Sequence, residues 1–160
     1  MATKQEHYSK PDIKSLQGRP DTPLRVLIID DNHVVLDSLE RWLQWTQKVE
    51  LVGKLRTPTS ALETWELTRP HVIILSLPQG GVSLTGELTS RAHAETARTI
   101  KALYPGTRII ILAWNHSGTS LEALDVFSKI ADAWIFKEDT LHELFPTLAM
   151  LFPENSRFNI

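Results

Sequence analysis

The sequence contains no cysteine, which excludes disulfides, thiolate nucleophiles and cysteine-ligated zinc sites. It also lacks a surplus of either charge, because 17 Lys and Arg residues and 19 Asp and Glu residues leave a formal net charge of -2. No general attraction to nucleic acid or to an anionic membrane is therefore expected. No segment approaches the roughly 20 apolar residues of a membrane helix, and the N-terminus lacks the apolar core of a signal peptide. Together these absences predict a soluble protein of the cytoplasm.

The 160 residues, of which 42% are hydrophobic, are enough for one domain with a core of ordinary size. Residues 1–23 are polar, include several prolines and show no periodicity, so we expect a flexible arm. Residues 24–152 carry the alternating apolar patterns of strands and helices. Residues 153–160 are too few for a second domain, and we expect them to form a C-terminal tail.

Five apolar runs of strand length alternate with five segments of helical periodicity. The predicted strands are 24–29, 49–55, 72–77, 108–113 and 133–136. The predicted helices are about 33–46, 60–69, 86–104, 120–129 and 140–152. This alternation predicts the α/β class, with a flavodoxin-like, doubly wound, five-stranded parallel sheet in the order 2-1-3-4-5 and helices on both faces. Pro146 lies well inside the fifth helix and should kink it or split it in two.

Two adjacent acids, Asp30 and Asp31, follow the first predicted strand. Ligand sites in open parallel sheets form beyond the carboxyl ends of the strands, and carboxylate oxygens suit Mg²⁺ or Ca²⁺. The pair therefore indicates a site at this edge of the sheet. A purely structural interpretation stays open, because either acid would also favour the positive N-terminus of the first helix.

Residues 24–152 resemble a response-regulator receiver domain of bacterial two-component signalling. Four short motifs carry the resemblance by their order and spacing: Asp30-Asp31, Arg69-Pro70, residues 104–108 and residues 131–137. The last of these is similar to the corresponding segment of regulators that carry a helix-turn-helix output domain.

The resemblance implies a phosphorylation pocket. In that family an aspartate ending the third strand accepts a phosphoryl group, a Mg²⁺ ion is held by it and by the strand-one acids, and a hydroxyl and a lysine bind the phosphoryl oxygens. The resemblance places Asp30 and Asp31 as the strand-one acids and Lys137 as the lysine. Ser76 occupies the phosphoacceptor position, and Ala113 occupies the position of the hydroxyl residue.

Ser76 determines the chemistry that we predict. A serine hydroxyl needs a base before it can attack phosphorus, and the loss of one carboxylate weakens a Mg²⁺ site. We therefore expect a degenerate phosphorylation pocket formed by Asp30, Asp31, Ser76, Ala113 and Lys137. It would have no catalytic activity and no cofactor, with residual Mg²⁺ binding at the two acids as the lesser alternative. Lys137 should pair with one of the acids in place of the metal, and the Ser76 hydroxyl should bond a neighbouring backbone group.

A protein-contact face is the other functional prediction. Trp134 occupies the aromatic switch position of the family, on a strand expected at the sheet edge, and the fifth helix is more apolar than one buried face requires. The predicted face for a homodimer or a protein partner comprises Trp134, Leu144, Phe145 and Leu148. A core role for Trp134 stays open. Core-facing or helix-packing roles are expected for Trp42, Trp45 and Trp65.

The stretch from Ser76 to Tyr104 is several residues longer than the family usually has. The loop 78–87 within it could cover the pocket, present a partner surface or be a tolerated insertion. The leading functional prediction is a stand-alone pseudo-receiver that acts as a phosphorylation-independent signalling or adaptor module. A small-molecule sensor that uses the altered pocket is the alternative. An enzyme using Ser76 with Asp31 and Lys137 is a weaker third. Direct DNA contact is not expected, because no basic helix is present.

Overall fold

The computed structural model describes residues 22–78, 86–114, 121–155 and 157, except the side chains of 86–90 and 121–123. The described residues do not include the predicted N-terminal arm up to residue 21, most of the long segment after the third strand, or half of the predicted C-terminal tail. Within the described residues, no helix is both long enough and apolar enough to cross a membrane.

The described elements alternate strictly between strand and helix. The strands are β1 (Leu24–Ile29), β2 (Val49–Leu55), β3 (Val72–Ser76), β4 (Arg108–Ala113) and β5 (Ala133–Phe136). The helices are α1 (His33–Thr46), α2 (Ala61–Thr68), α3 (Gly86–Leu103), α4 (Leu121–Ser128) and α5 (Thr140–Leu151). All four strand pairings are parallel and the order is β2-β1-β3-β4-β5, so the predicted flavodoxin-like sheet is confirmed.

The sheet separates two apolar cores, as the alternation of side chains along β1 illustrates. Val26 and Ile28 face the core beneath α1 and α5, whereas Leu27 and Ile29 face the core beneath α2, α3 and α4. Every residue of β3 is buried, because this central strand is covered on both faces. The carboxyl ends of the strands are thereby held at one edge of a rigid sheet.

At the amino ends of the strands, His71 directly precedes β3 and is hydrogen-bonded to both neighbouring strands, β1 and β4. Its ring atom Nδ1 accepts a hydrogen bond from the backbone N–H of Arg25 at 2.9 Å. Its own backbone N–H donates to the Arg25 carbonyl at 2.9 Å, and its carbonyl accepts from the Arg108 N–H at 3.0 Å. Burial and the Arg25 guanidinium both lower the pKa of His71 below its ordinary value, against a smaller opposing effect of Glu50. His71 therefore serves this edge as a neutral acceptor.

The helix α5 is continuous from Thr140 to Leu151 although Pro146 lies inside it. Of the two predicted effects of Pro146, a kink or a split, the split is wrong. Proline removes the N–H that would bond the carbonyl of His142, one turn earlier. Both Pro146 and His142 are exposed, so water can reach that carbonyl and the packed face of the helix is undisturbed.

Three tryptophans have different environments. Trp65 is fully buried and its Nε1–H donates to the Thr107 hydroxyl at 2.9 Å. Trp42 stacks on Phe145 of α5, with the ring centroids 4.7 Å apart. Trp45 was expected to pack, but it is 84% exposed, so that prediction is wrong. It lies in the last turn of α1 on the side away from the buried leucines of that helix, where none of the described elements covers it.

Candidate functional site

The carboxyl edge of the sheet brings together four of the residues that the sequence places at strand ends. Asp30 follows β1 and Ser76 ends β3, which is the neighbouring strand. Ala113 ends β4, and Lys137 directly follows β5. The parallel order of the strands places all four positions at one edge.

A buried ion pair forms the centre of this site. Lys137 Nζ lies 3.6 Å from Asp30 Oδ2, and the two side chains are 8% and 0% exposed. The ammonium also lies 4.8 Å from the centre of the Trp114 ring, within the range of a cation–π contact. A carboxylate without solvent requires a counter-charge, and Lys137 supplies one from within the chain. The predicted pairing of Lys137 with a strand-one acid is confirmed for Asp30.

The second oxygen of Asp30 fixes the start of α1. Asp30 Oδ1 accepts a hydrogen bond from the Asn32 backbone N–H at 2.8 Å, and Asn32 Oδ1 accepts from the Val34 N–H at 2.9 Å, which caps the helix. Asp31 has a different environment: its side chain is exposed, and its backbone carbonyl accepts hydrogen bonds from the Arg56 guanidinium at 3.2 and 3.3 Å. The two adjacent acids therefore have separate roles, one buried and structural, the other facing solvent.

Ser76 is buried, with 2% of its surface exposed, and its hydroxyl has no hydrogen-bond partner among the described residues. The predicted bond to a neighbouring backbone group is wrong. The backbone around it is already paired, since the next N–H, that of Leu77, donates to the Leu112 carbonyl at 2.8 Å. Ala113 is fully buried and supplies no polar atom from its side chain. Neither residue offers the polar contacts of a phosphoryl-binding position.

The donor set at this edge does not fit a Mg²⁺ ion. Such an ion needs several oxygen ligands in octahedral order. Here Asp30 Oδ2 faces the Lys137 ammonium, Asp31 is exposed, and the third acid of the receiver pattern is replaced by Ser76. Across the part of the chain that the structure describes, no group of three or more His, Asp or Glu side chains could hold a metal.

Two cavities flank the pair formed by Trp114 and Lys137. The first, of about 360 Å³, is polar and is also lined by Asp31, Asn32 and His33. The second, of about 310 Å³, lies between α1 and α5 and is mostly apolar. Its remaining lining residues are Val34, Val35, Ser38, Leu39, Leu112, Glu138, Thr140 and Leu141. The sequence interpretation missed Trp114; its position directly after β4, at the edge where the acids meet, was the available signal.

The predicted contact face is only partly accessible. Leu144 and Leu148 are 0% exposed and belong to the core beneath α5, so their assignment as interface residues is wrong. Phe145 is half-buried and stacks on Trp42. Trp134 is half-buried against the other core, and its Nε1 is buried with no hydrogen bond to a described residue. The exposed large apolar side chains of this region are Phe136 (39%), Leu141 (58%) and Met150 (66%).

Comparison with solved structures identifies the fold. The isolated REC domain of RcsB from Salmonella enterica serovar Typhimurium matches with a TM-score of 0.64 at 21% identity, over 84% of this chain and 91% of that chain. A LuxR-family two-component response regulator from Aurantimonas sp. SI85-9A1 matches with a TM-score of 0.62 at 20% identity, over 81% of this chain and 86% of that chain. This chain has the receiver-domain fold.

The chain matches only one part of each of its curated relatives, which are longer proteins. A protein-glutamate methylesterase/protein-glutamine glutaminase from Nitrobacter hamburgensis is 26% identical over 136 residues, which are 79% of this chain and 34% of that protein. A group 2 operon protein of the same description from Rhodopseudomonas palustris is 29% identical over 86 residues, which are 48% of this chain and 22% of that protein. The chain thus spans about a third or less of the length of these relatives. No family model matches it.

Proposed function

We propose that this chain is a pseudo-receiver: a cytoplasmic signalling or adaptor module whose output is protein contact rather than phosphotransfer. One observation carries the proposal, the buried Lys137–Asp30 ion pair. In the receiver pattern a bound metal ion supplies positive charge beside the acids, and the phosphoryl group supplies negative charge. Here the acid already has a cation that is part of the chain, so the proposed module works without a metal.

The environment of Ser76 supports the same proposal. An alcohol becomes a nucleophile when an adjacent base takes its proton, and such a pair is recognised by a hydrogen bond between hydroxyl and base. The Ser76 hydroxyl makes no such bond with a described residue, and both oxygens of Asp30 face other groups. We therefore propose no catalytic role for Ser76, either in phosphotransfer or in another reaction.

The proposed output is contact through apolar side chains near β5 and α5. Phe136, Leu141 and Met150 are the exposed large apolar side chains described there, and we propose them as contact residues. A solved structure of RcsB is described as containing two dimers bound to two parallel DNAs. For this chain, contact with a protein partner or with a second copy is the corresponding proposal.

The decisive experiment is incubation with acetyl phosphate and Mg²⁺, followed by intact-mass measurement. We expect no phosphoryl adduct, while a receiver that has the full set of acids becomes labelled under the same conditions. A stoichiometric adduct on the wild type that disappears in Ser76→Ala would overturn the proposal. Tryptic mapping would then locate the modified residue.

A second candidate function is a small-molecule sensor, which the two cavities beside Trp114 and Lys137 favour. A ligand that binds the folded state alone raises its stability by mass action. Thermal melting with a panel of nucleotides and metabolites should reveal such a ligand. A shift that Val35→Trp abolishes would assign the ligand to the apolar cavity, and the absence of any shift across the panel would count against this candidate.

A further inference from the structure

Trp114 and Lys137 form a wall that the polar cavity and the apolar cavity share. The amino-terminal half of α1 runs beside both cavities, because His33 lines the polar one and Ser38 lines the apolar one. The rise from His33 to Ser38 is roughly 7 Å along the helix axis. A molecule of that length would reach from one cavity into the other.

The apolar cavity suits a single ring. Val35 and Leu39 of α1 and Leu141 of α5 supply its side walls, and Leu112 at the end of β4 also lines it. Leu112 is buried in the core beneath α1 and α5, so the cavity reaches down to the sheet. Its volume of about 310 Å³ is at the lower limit of ordinary ligand sites. A small aromatic body therefore fits it better than a molecule as large as a nucleotide.

The cation that lines both cavities is already neutralised. Lys137 is buried and paired with Asp30, and its ammonium lies 4.8 Å from the centre of the Trp114 ring. No other Lys or Arg is among the described residues that line either cavity. An anionic head group would compete with Asp30 for this ammonium, which argues against an anionic ligand.

The Asp31 side chain supplies negative charge at the polar cavity. It is exposed, and its carboxylate forms no ion pair with a residue that the structure describes. The Arg56 guanidinium donates its hydrogen bonds to the backbone carbonyl of Asp31 and not to the carboxylate. The Asp31 carboxylate is therefore available to a cationic group, and a second acid, Glu138, lines the apolar cavity.

We propose that the two cavities together bind a small aromatic amine, with its ring in the apolar cavity and its ammonium group beside Asp31. The ring would remove the apolar walls from water, and the ammonium would pair with the exposed carboxylate. Asn32 Oδ1 accepts one hydrogen bond, from the Val34 N–H, and its second lone pair could accept another from the ammonium. This inference rests on the sensor candidate and names the ligand class for it.

Three probes with the same phenyl ring and different head groups test the proposal: phenethylamine, phenethyl alcohol and hydrocinnamate. Amide NMR titrations of the isotope-labelled full chain measure the Kd of each probe and show where it binds. Phenethylamine should bind about threefold tighter than phenethyl alcohol, which is the strength of an exposed ion pair. Hydrocinnamate should bind more weakly than the alcohol. The amide shifts should concentrate in residues 31–39 and 137–141.

Substitutions separate the two parts of the site. Asp31→Asn should raise the Kd of phenethylamine by about threefold and leave that of phenethyl alcohol unchanged. The matched control is Glu63→Gln, which removes one negative charge from an exposed position on α2 and should change neither Kd. Val35→Trp, which fills the apolar cavity, should weaken both probes by about tenfold or more. Urea unfolding of each variant confirms that the fold is retained, and Asp31→Asn alters an exposed side chain that the core does not need.

Equal affinities of the wild type for the amine and the alcohol, or tighter binding of hydrocinnamate, would overturn the proposal. So would amide shifts confined to another face, or no binding of phenethylamine up to its solubility limit. The sensor candidate fails separately, because a neutral or anionic metabolite that stabilises the protein through the same cavities would support it while contradicting the amine. A phosphoryl adduct on Ser76 would end the pseudo-receiver proposal without changing the order of the three affinities.

Discussion

Lys137 Nζ lies 3.6 Å from the Oδ2 of Asp30, a carboxylate with no exposed surface. This contact joins the end of β1 to the turn after β5, although two strands, β3 and β4, lie between β1 and β5 in the sheet. An acid in such a position depends on its partner, because removing one charge from a buried pair leaves the other uncompensated.

Lys137→Met should therefore lower the free energy of unfolding by about 3–5 kcal/mol at neutral pH. Urea denaturation monitored by circular dichroism measures this change. The double variant Asp30→Asn/Lys137→Met should recover much of the loss, since it removes both charges. The control is Lys129→Met, which breaks a pair with Asp125 that is more than two-thirds exposed on both sides and should cost at most about 0.5 kcal/mol. Equal effects of the two lysine substitutions would contradict the structural role of the pair.

Two buried hydroxyls predict opposite responses to their removal. Ser76→Ala should raise stability by about 1 kcal/mol, because its hydroxyl is buried without a partner among the described residues. Thr107→Val should lower stability by about 1–3 kcal/mol, because it leaves the buried Trp65 N–H without its acceptor. Each change removes a hydroxyl and little else. A destabilised Ser76→Ala variant would show that the hydroxyl has a partner in the folded protein.

His71 predicts a loss of stability in mild acid. Its pKa is lowered in the folded state, first by burial and then by Arg25, so the unfolded chain binds more protons in this range. The contribution of neutral His71 to the free energy of unfolding is therefore complete above its ordinary pKa. It is lost as the pH falls from that value toward the lower pKa of the folded state. Protonation of Nδ1 would also break the hydrogen bond with the Arg25 N–H. Unfolding free energies measured from pH 7.5 to 5 should fall less steeply for His71→Asn, which accepts a hydrogen bond but does not titrate. Identical slopes would refute the assignment.

Replacing Pro146 by alanine should stabilise the folded protein. It is exposed within a continuous helix, so Pro146→Ala restores one backbone hydrogen bond without removing buried contacts. The gain should be about 2 kcal/mol, which is the helix penalty of proline less the greater freedom of alanine in the unfolded chain. Thermal unfolding would detect it. A lower melting temperature would mean that the proline ring makes a contact that outweighs the bond.

The strands could be predicted almost to the residue because each is an apolar run rich in branched side chains and bounded by polar residues. The site was predictable only at the level of residue type. The sequence places Asp30 and Lys137 at strand ends, but the Trp114 ring above the ammonium depends on the packing of three strands. The direction of the Ser76 hydroxyl depends on which backbone groups the sheet has already paired.

Helix five shows the limit of a composition argument. Its many apolar residues predicted a surplus for an interface, and Leu144 and Leu148 were assigned to it. They lie one turn apart on the stripe that faces the sheet, which helical spacing could have indicated. For Trp45 the same signal was available, because helical spacing places it on the side of α1 away from the apolar stripe that holds Leu39 and Leu43.

Asn155 Nδ2 donates to the Thr22 carbonyl at 3.2 Å, while Arg157 reaches the Gln47 carbonyl. The entry to the first strand and the exit from the last helix therefore meet beside the end of α1 that carries Trp45, far from the acid edge. An affinity tag or reporter joined at either position would stand next to that indole. A tag placed there for surface immobilisation would leave the cavities beside Lys137 open to ligands. The tag should be cleaved before the molecular weight in solution is measured.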